Sequence, residues 1–265
     1  MKTKRWMVAL AAGVVAPAAF AQAGDPVTLY GRIYVTAESV EAKGGTTPVA
    51  RRNRMELIAR RFPAPEDTVA RGDAWIALPG RELAVRIYRP HAGTLPAIVY
   101  LHGGGWVAGS LATHDGACAA LAQDADAVVA SVHYRRAPES PYPAPNDDAY
   151  AALAWVAEHA EALAVDRARI AVAGDSAGAH LAIGCAIEGR ERGGPAIAFQ
   201  LLVYPVVEPA FDTASYLAHA SSPALTRVGG LPPPAAASAR ASSVASASLE
   251  ANTLCGRRGT GRDSM

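Results

Sequence analysis

The pattern of apolar and polar positions divides the chain into stretches of different character. In VTLYGRIYV, residues 27–35, Val27, Leu29, Ile33 and Val35 alternate with Thr28, Tyr30, Arg32 and Tyr34. That period of two predicts a β-strand. From about Met55 to Ala220 short apolar runs alternate with stretches of helical period. DAWIAL and LAVRIYRP, with LPG near the turn, predict a hairpin. PAIVYL (96–101), AVVASVHY (127–134), RIAVAG (169–174) and FQLLVYPVV (199–207) are apolar, β-branched runs of the buried-strand type. A helix is predicted from near Asp147, where Tyr150, Leu153, Ala157 and Ala160 recur on one face, and another opens just after Ser176. Buried strands separated by helices predict an α/β fold, with a mostly parallel sheet covered by helices on both faces. From Ser221 onward there is no Phe, Trp or Tyr and no sustained period. Such a segment buries too little apolar surface to offset its ordering entropy, which predicts a disordered or weakly helical tail.

Composition narrows the picture. A chain of 265 residues is long enough for one α/β domain with its own core. A net charge of +1 gives no reason to propose a nucleic acid or an anionic surface as partner. Cys118, Cys185 and Cys255 are an odd, widely spaced set that reads neither as a disulfide framework nor as a zinc site. The first residues, MKTKRW, are basic, the next fourteen are apolar, and Ala19-Phe20-Ala21 forms an A-x-A cleavage pattern. This order predicts a secretory signal peptide over 1–21, because the apolar run is too short to span a bilayer. No later segment is apolar enough for a span. The expected location is periplasmic or secreted; a product starting near Met55 would be cytoplasmic. The VTLYGRIYV run behind such a leader resembles the first barrel strand of Gram-negative outer-membrane porins. A barrel needs at least about eight such strands, and none follow, so 22–54 is read as a leader or linker. The expected organisation is then 1–21 signal peptide, 22–54 leader, 55–220 a C-terminally truncated α/β domain, and 221–265 tail.

Two glycine motifs carry the chemistry. Gly174-Asp175-Ser176-Ala177-Gly178 lies between RIAVAG, a strand, and AGAHLAIGCAIEG, a helix. A serine on a tight strand–helix turn is exposed as a nucleophile. The backbone N–H of Ala177 and the helix N-terminus face charge developing on a substrate oxygen. His102-Gly103-Gly104-Gly105-Trp106 follows the strand PAIVYL. Successive glycines leave backbone N–H groups unshielded, as an oxyanion hole requires. His102 precedes the serine and is read as a structural residue that holds this loop.

With GS-LATHD, YRRAPE and PYPAPNDDAY between and around them, these blocks resemble the hormone-sensitive-lipase-like, acetyl-esterase-like branch of the α/β-hydrolases, over roughly Asp73 to Ala220. The resemblance implies Ser176 as nucleophile and Gly104, Gly105 and Ala177 as oxyanion donors. It implies hydrolysis of short-chain, small-molecule esters with neither metal nor organic cofactor. Departures from the family pattern are His133 in place of an acid, Arg136 in place of an apolar residue, and Ala179 in place of a glycine. In this fold the triad order is serine, acid, histidine. After Ser176 the chain offers only His180 and His219, and only Asp212 and Asp263 as aspartates. None of these falls at a triad position, so the triad acid and base are expected to be absent. A catalytically defective remnant and a non-catalytic ester-binding module are the alternatives to an active esterase.

Overall fold

The computed structural model describes residues 47–61, 69–207 and 212–218. The segment VTLYGRIYV, the signal sequence and the tail after Ser221 lie outside the described residues. Helix α1 spans Pro48–Arg61. Strands β1 (Ala70–Leu78) and β2 (Arg81–Arg89) follow, then β3 (Leu95–Leu101), helix α2 (Asp115–Ala125) and β4 (Val128–Val132). Helix α3 (Ala144–Glu158), β5 (Val165–Asp175), α4 (Ala177–Arg192), β6 (Phe199–Val203) and the short α5 (Ala214–Ala218) complete the order. The six strands form one sheet in the order β1-β2-β4-β3-β5-β6. The first two are antiparallel, as the hairpin pattern predicts, with Gly80 at φ 73° in the turn. β3, β4, β5 and β6 pair in parallel.

The period of two sorts each central strand between two cores. Val99 and Leu101 of β3 join Val128, Ala130 and Val132 of β4 on one face, packed by Leu153, Val156 and Ala157 of α3 and by Leu181 and Cys185 of α4. Ile98 and Tyr100 join Val129, Ala173 and Tyr88 on the other, covered by Cys118, Ala119 and Ala122 of α2. Small helix residues let the helices sit close to the sheet, which is how an alanine-rich, aromatic-poor chain still closes its interior. The predicted helix face near Asp147 is realised in α3: Leu153 and Ala157 are buried, while Ala160 is buried in the turn that follows.

Helix α1 was not legible in the pattern. It crosses residues 54 and 55, where the change of composition suggested a boundary. None of its side chains is buried, so it has no apolar stripe to announce it. Its start is local chemistry. Thr47 Oγ1 accepts from Ala50 N at 3.2 Å, and Pro48 stands at the first helical position. A capping hydroxyl and a proline there are both favourable. Arg60 and Arg61 close the helix where its dipole favours cations.

Candidate active site

Ser176 sits between the last residue of β5 and the first residue of α4, at φ 51° and ψ −117°. A non-glycine residue pays about 1–3 kcal/mol to hold such a backbone, and it persists only where its surroundings enforce it. They do so here. Ser176 N donates to Val203 O of β6 at 2.8 Å, and Ser176 O accepts from His180 N at 3.2 Å in α4. The strand and helix cross at close range because Gly174 and Gly178 face each other. A Cβ on Gly174 would stand 2.5 Å from both Gly178 C and Leu101 O. A Cβ on Gly178 would stand 2.5 Å from Leu101 C and 2.7 Å from His102 O. Both glycines are therefore required by contact with backbone.

The second glycine motif emerges from β3 beside this turn. Gly104 (φ 127°), Gly105 (φ 63°) and Trp106 (φ 60°) take three successive left-handed conformations. The turn is closed by Val107 N and Ala108 N, which donate to Gly104 O at 3.3 and 3.0 Å. Side chains are excluded at Gly104, where a Cβ would press on Ala108 O and lie 2.9 Å from Gly109 N. Among the described residues the N–H groups of Gly104 and Gly105 have no acceptor. Ala177 N–H, at the first position of α4, has no intrahelical partner.

Asp175 ties the two motifs together. Its Oδ1 accepts from Gly103 N at 2.9 Å and from Tyr100 OH at 2.9 Å, and His114 Nε2 lies 3.3 Å away. Tyr204 OH donates to its other oxygen at 3.4 Å. The carboxylate is buried. Burial alone raises its pKa, but His114, Tyr100 and the Gly103 N–H outweigh that and hold it below the usual aspartate value. The residue before the serine thus fixes the glycine loop from inside the protein. This role was missed in the sequence, although Asp175 lies within the quoted motif, because its partners Tyr100, Gly103 and His114 stand 61–75 positions away.

His102 behaves as the structural residue it was read to be. It is fully buried, its Nδ1 lies 2.9 Å from Gly103 O, and its carbonyl accepts from Tyr134 OH at 2.6 Å. The ring stacks on Tyr134 with centroids 4.2 Å apart and on His114 at 5.5 Å. Burial, with His114 and His133 nearby, pushes its imidazole well below the usual value, so it is neutral near pH 7.

The histidines and aspartates downstream of Ser176 are placed as follows. His180 Nδ1 lies 2.8 Å from Val206 O, and its ring meets Trp106 edge-on at 5.3 Å. Burial lowers its pKa. Asp212 is exposed just before α5. His219 and Asp263 lie outside the described residues. Among the described residues no side chain hydrogen-bonds Ser176 Oγ. Ala179 is fully buried in α4. Arg136 Nη1 donates to Gly109 O and so holds the far end of the glycine loop. Arg136 also lines, with Trp75, Glu82, His133, Arg135 and Ser140, a separate open cavity of about 420 Å³ that does not include Ser176. Among the described residues no cluster of His, Cys, Asp or Glu is arranged to hold a metal ion, and no helix is long and apolar enough to cross a membrane.

Comparison with known proteins places this geometry. The family model described as the alpha/beta hydrolase fold matches residues 98–232. Esterase LipI of Mycobacterium tuberculosis is 48% identical over 158 residues, which make up 58% of this chain and 49% of that protein. Ethyl acetate hydrolase of Pseudomonas putida is 46% identical over 138 residues, 49% of this chain and 42% of that protein. The chain thus spans about half the length of the curated relatives it matches. The solved structure of a hyperthermophilic esterase from the archaeon Pyrobaculum calidifontis superposes with a TM-score of 0.69 at 36% identity, covering 83% of this chain and 74% of that one. A matched family model that includes both the glycine loop and the serine turn, on a sheet of this order, places the chain in the α/β-hydrolase family, in its hormone-sensitive-lipase-like branch.

Proposed function

We propose that this chain carries the nucleophile and oxyanion-binding part of a serine carboxylesterase acting on small, short-chain esters. The observation that carries the reading is the shared anchoring of the two glycine motifs: one buried carboxylate, Asp175, holds the loop of Gly104 and Gly105 against the turn of Ser176. Relatives named esterase and ethyl acetate hydrolase support an ester as substrate. In this reading Ser176 Oγ attacks the ester carbonyl carbon and passes its proton to a base, water or a histidine from outside the described residues, which hands it on to the departing alcohol. The carbonyl oxygen becomes an oxyanion that the N–H groups of Gly104, Gly105 and Ala177 receive. The C–O bond to the alcohol breaks, the alcohol leaves with a proton, and water hydrolyses the acyl-serine. Preorganised donors of this kind contribute roughly 10²–10³-fold each in hydrolases.

Among the described residues no base reaches Ser176. His180 is committed to Val206 and Trp106, and a serine without a base is a weak nucleophile. Hydrolases stripped of triad members keep roughly 10³–10⁴-fold catalysis over water from the oxyanion hole and binding. We therefore expect p-nitrophenyl acetate hydrolysis by the 265 residues to lie close to background. Replacing the residues after Ala220 with a family-type segment that supplies an acid and a histidine should restore it, and Ser176→Ala should abolish what was restored. Robust turnover of the unaltered chain that survives Ser176→Ala would overturn the assignment of the nucleophile. The same commitment of His180 favours a second reading, a module that binds esters without turning them over. Equilibrium binding of a non-hydrolysable ester analogue by monodisperse protein, with no product, would support it.

For location we propose export by the general secretory route with cleavage after Ala21, supported by the basic, apolar and A-x-A order of residues 1–21.

A further inference from the structure

Helix α1 reaches the glycine loop through polar contacts. Arg52 makes most of them. Its Nε donates to Val107 O at 2.6 Å and its Nη2 to Ala137 O at 2.9 Å. Nη1 and Nη2 grip Glu139 Oε1 and Oε2 at 2.8 and 2.6 Å. The side chain is only 22% exposed. One turn further on, Glu56 Oε1 accepts from Ser110 Oγ at 2.5 Å. Residues four apart share a helix face, so one side of α1 holds the loop at Val107 and again at Ser110, and joins it to the segment 137–139. An exposed ion pair by itself contributes little. The two part-buried carbonyl acceptors distinguish Arg52 from such a pair.

The loop that Arg52 holds is the one with three successive positive φ values. Two of these are glycines, which adopt such values freely, but Trp106 does not, and its strained backbone survives only where its neighbours over-determine it. Val107 is the residue whose N–H closes the turn on Gly104 O, and Arg52 fixes the carbonyl of that same residue. Ala137 is bonded twice, with its N–H to Trp106 O at 2.9 Å and its carbonyl to Arg52. The guanidinium is thus the corner at which three segments meet. A planar fork suits this because its donors point in fixed, divergent directions, whereas an ammonium is a single point donor.

We propose that Arg52 is a positioning residue: from outside the sheet it fixes the turn that presents the Gly104 and Gly105 N–H groups. The proposal rests on the reading of this loop as the oxyanion-binding element. Two measurements test it on the full chain, with Arg52→Ala, Arg52→Lys and, as a control on the same helix, Arg60→Ala at an exposed site. The first is hydrogen exchange, followed by mass spectrometry, of peptides covering 104–110, β3 and β5. The second is the rate at which a p-nitrophenyl alkylphosphonate labels Ser176. In Arg52→Ala the 104–110 amides should exchange at least tenfold faster while β3 and β5 stay within twofold of wild type, and labelling should slow at least tenfold. Arg52→Lys should fall between, and Arg60→Ala should match wild type. Loop exchange within twofold of wild type in Arg52→Ala would overturn the proposal, as would equal acceleration across β3 and β5. A loosened loop with unchanged labelling would also overturn it. If wild type is not labelled at Ser176 while the loop still loosens, the catalytic reading gives way to the ester-binding one and the holding of the loop by Arg52 stands on the exchange data; if the loop does not loosen, the proposal fails whatever the labelling.

Discussion

Replacing Gly178 with alanine tests the close crossing on which the serine turn depends. The added methyl would press on Leu101 O and stand 2.5 Å from Leu101 C and 2.7 Å from His102 O. Carbon contacts are comfortable near 3.5–4.0 Å, so α4 and β3 must separate by roughly 1 Å. All three obstructing atoms are backbone, at the last residue of β3 and the residue that follows it, and no side-chain rotation relieves them. Overpacking of a core typically costs about 1–3 kcal/mol, and the rigid obstacle puts this substitution near the top of that range. For a domain of this size about 1 kcal/mol shifts Tm by roughly 2–4 °C, so a loss of about 6–12 °C is expected by thermal denaturation followed by circular dichroism. Gly189→Ala in the same helix supplies the contrast. Its methyl would meet Pro195 O at 3.7 Å and Tyr150 Cε2 at 3.9 Å, ordinary contacts. Removing a helix-interior glycine should then stabilise by up to about 1 kcal/mol. A Gly178→Ala protein that melts within about 2 °C of wild type, or below which Gly189→Ala melts, would refute the reasoning.

Asp175→Ala leaves the buried Gly103 N–H and Tyr100 OH without their acceptor, at about 1–3 kcal/mol each, so it should destabilise more than Asp175→Asn, which keeps an oxygen for Gly103; urea denaturation at pH 7 ranks them. Because the Asp175 carboxyl is held below its ordinary value of 3.8, the stability it contributes is present above that pH and lost below it, so wild type should lose its advantage over Asp175→Asn on acidification through 3.8. The imidazoles of His102, His133 and His180 are all held below 6.5, chiefly by burial. The unfolded chain then binds more protons below that pH, and stability should fall as pH drops from 6.5 toward 5, by up to about 1.4 kcal/mol per pH unit for each proton. His102→Gln should shallow the slope by about one proton in urea titrations, and a flat wild-type profile would refute this. N-terminal sequencing of the protein from a periplasmic fraction should begin at Gln22; a cytosolic product beginning near Met55 would contradict export.

The strands and both glycine motifs were legible because their signals are local. β4, with all five residues buried, is a short run with Val at three of its five positions, and Gly174 and Gly178 bracket the serine within five residues. Helix α1 was not legible because it is held by Arg52 and Glu56 rather than by an apolar face, and an arginine whose acceptors are carbonyls 55 and 85 positions away leaves no local pattern. The anchoring of Asp175 escaped for the same reason. His114 in particular reads as an unremarkable residue before a helix, yet it lies against both Asp175 and the His102 ring. The departures His133 and Arg136 were visible, but only the fold shows that they line a cavity apart from the serine and that Arg136 also holds Gly109.

The order of the strands also sets the sequence of events during synthesis. β2 pairs with β4 rather than with β3, and β3 is flanked by β4 and β5, so the centre of the sheet closes only once residue 175 has left the ribosome. Pairings of this span are entropically costly to close and belong to slow-folding topologies. The strained turn at Ser176 comes later still, since its N–H bonds Val203 of the edge strand. The turn that carries Ser176 is therefore completed after the central strands, the scaffold that must bear its strain, are in place.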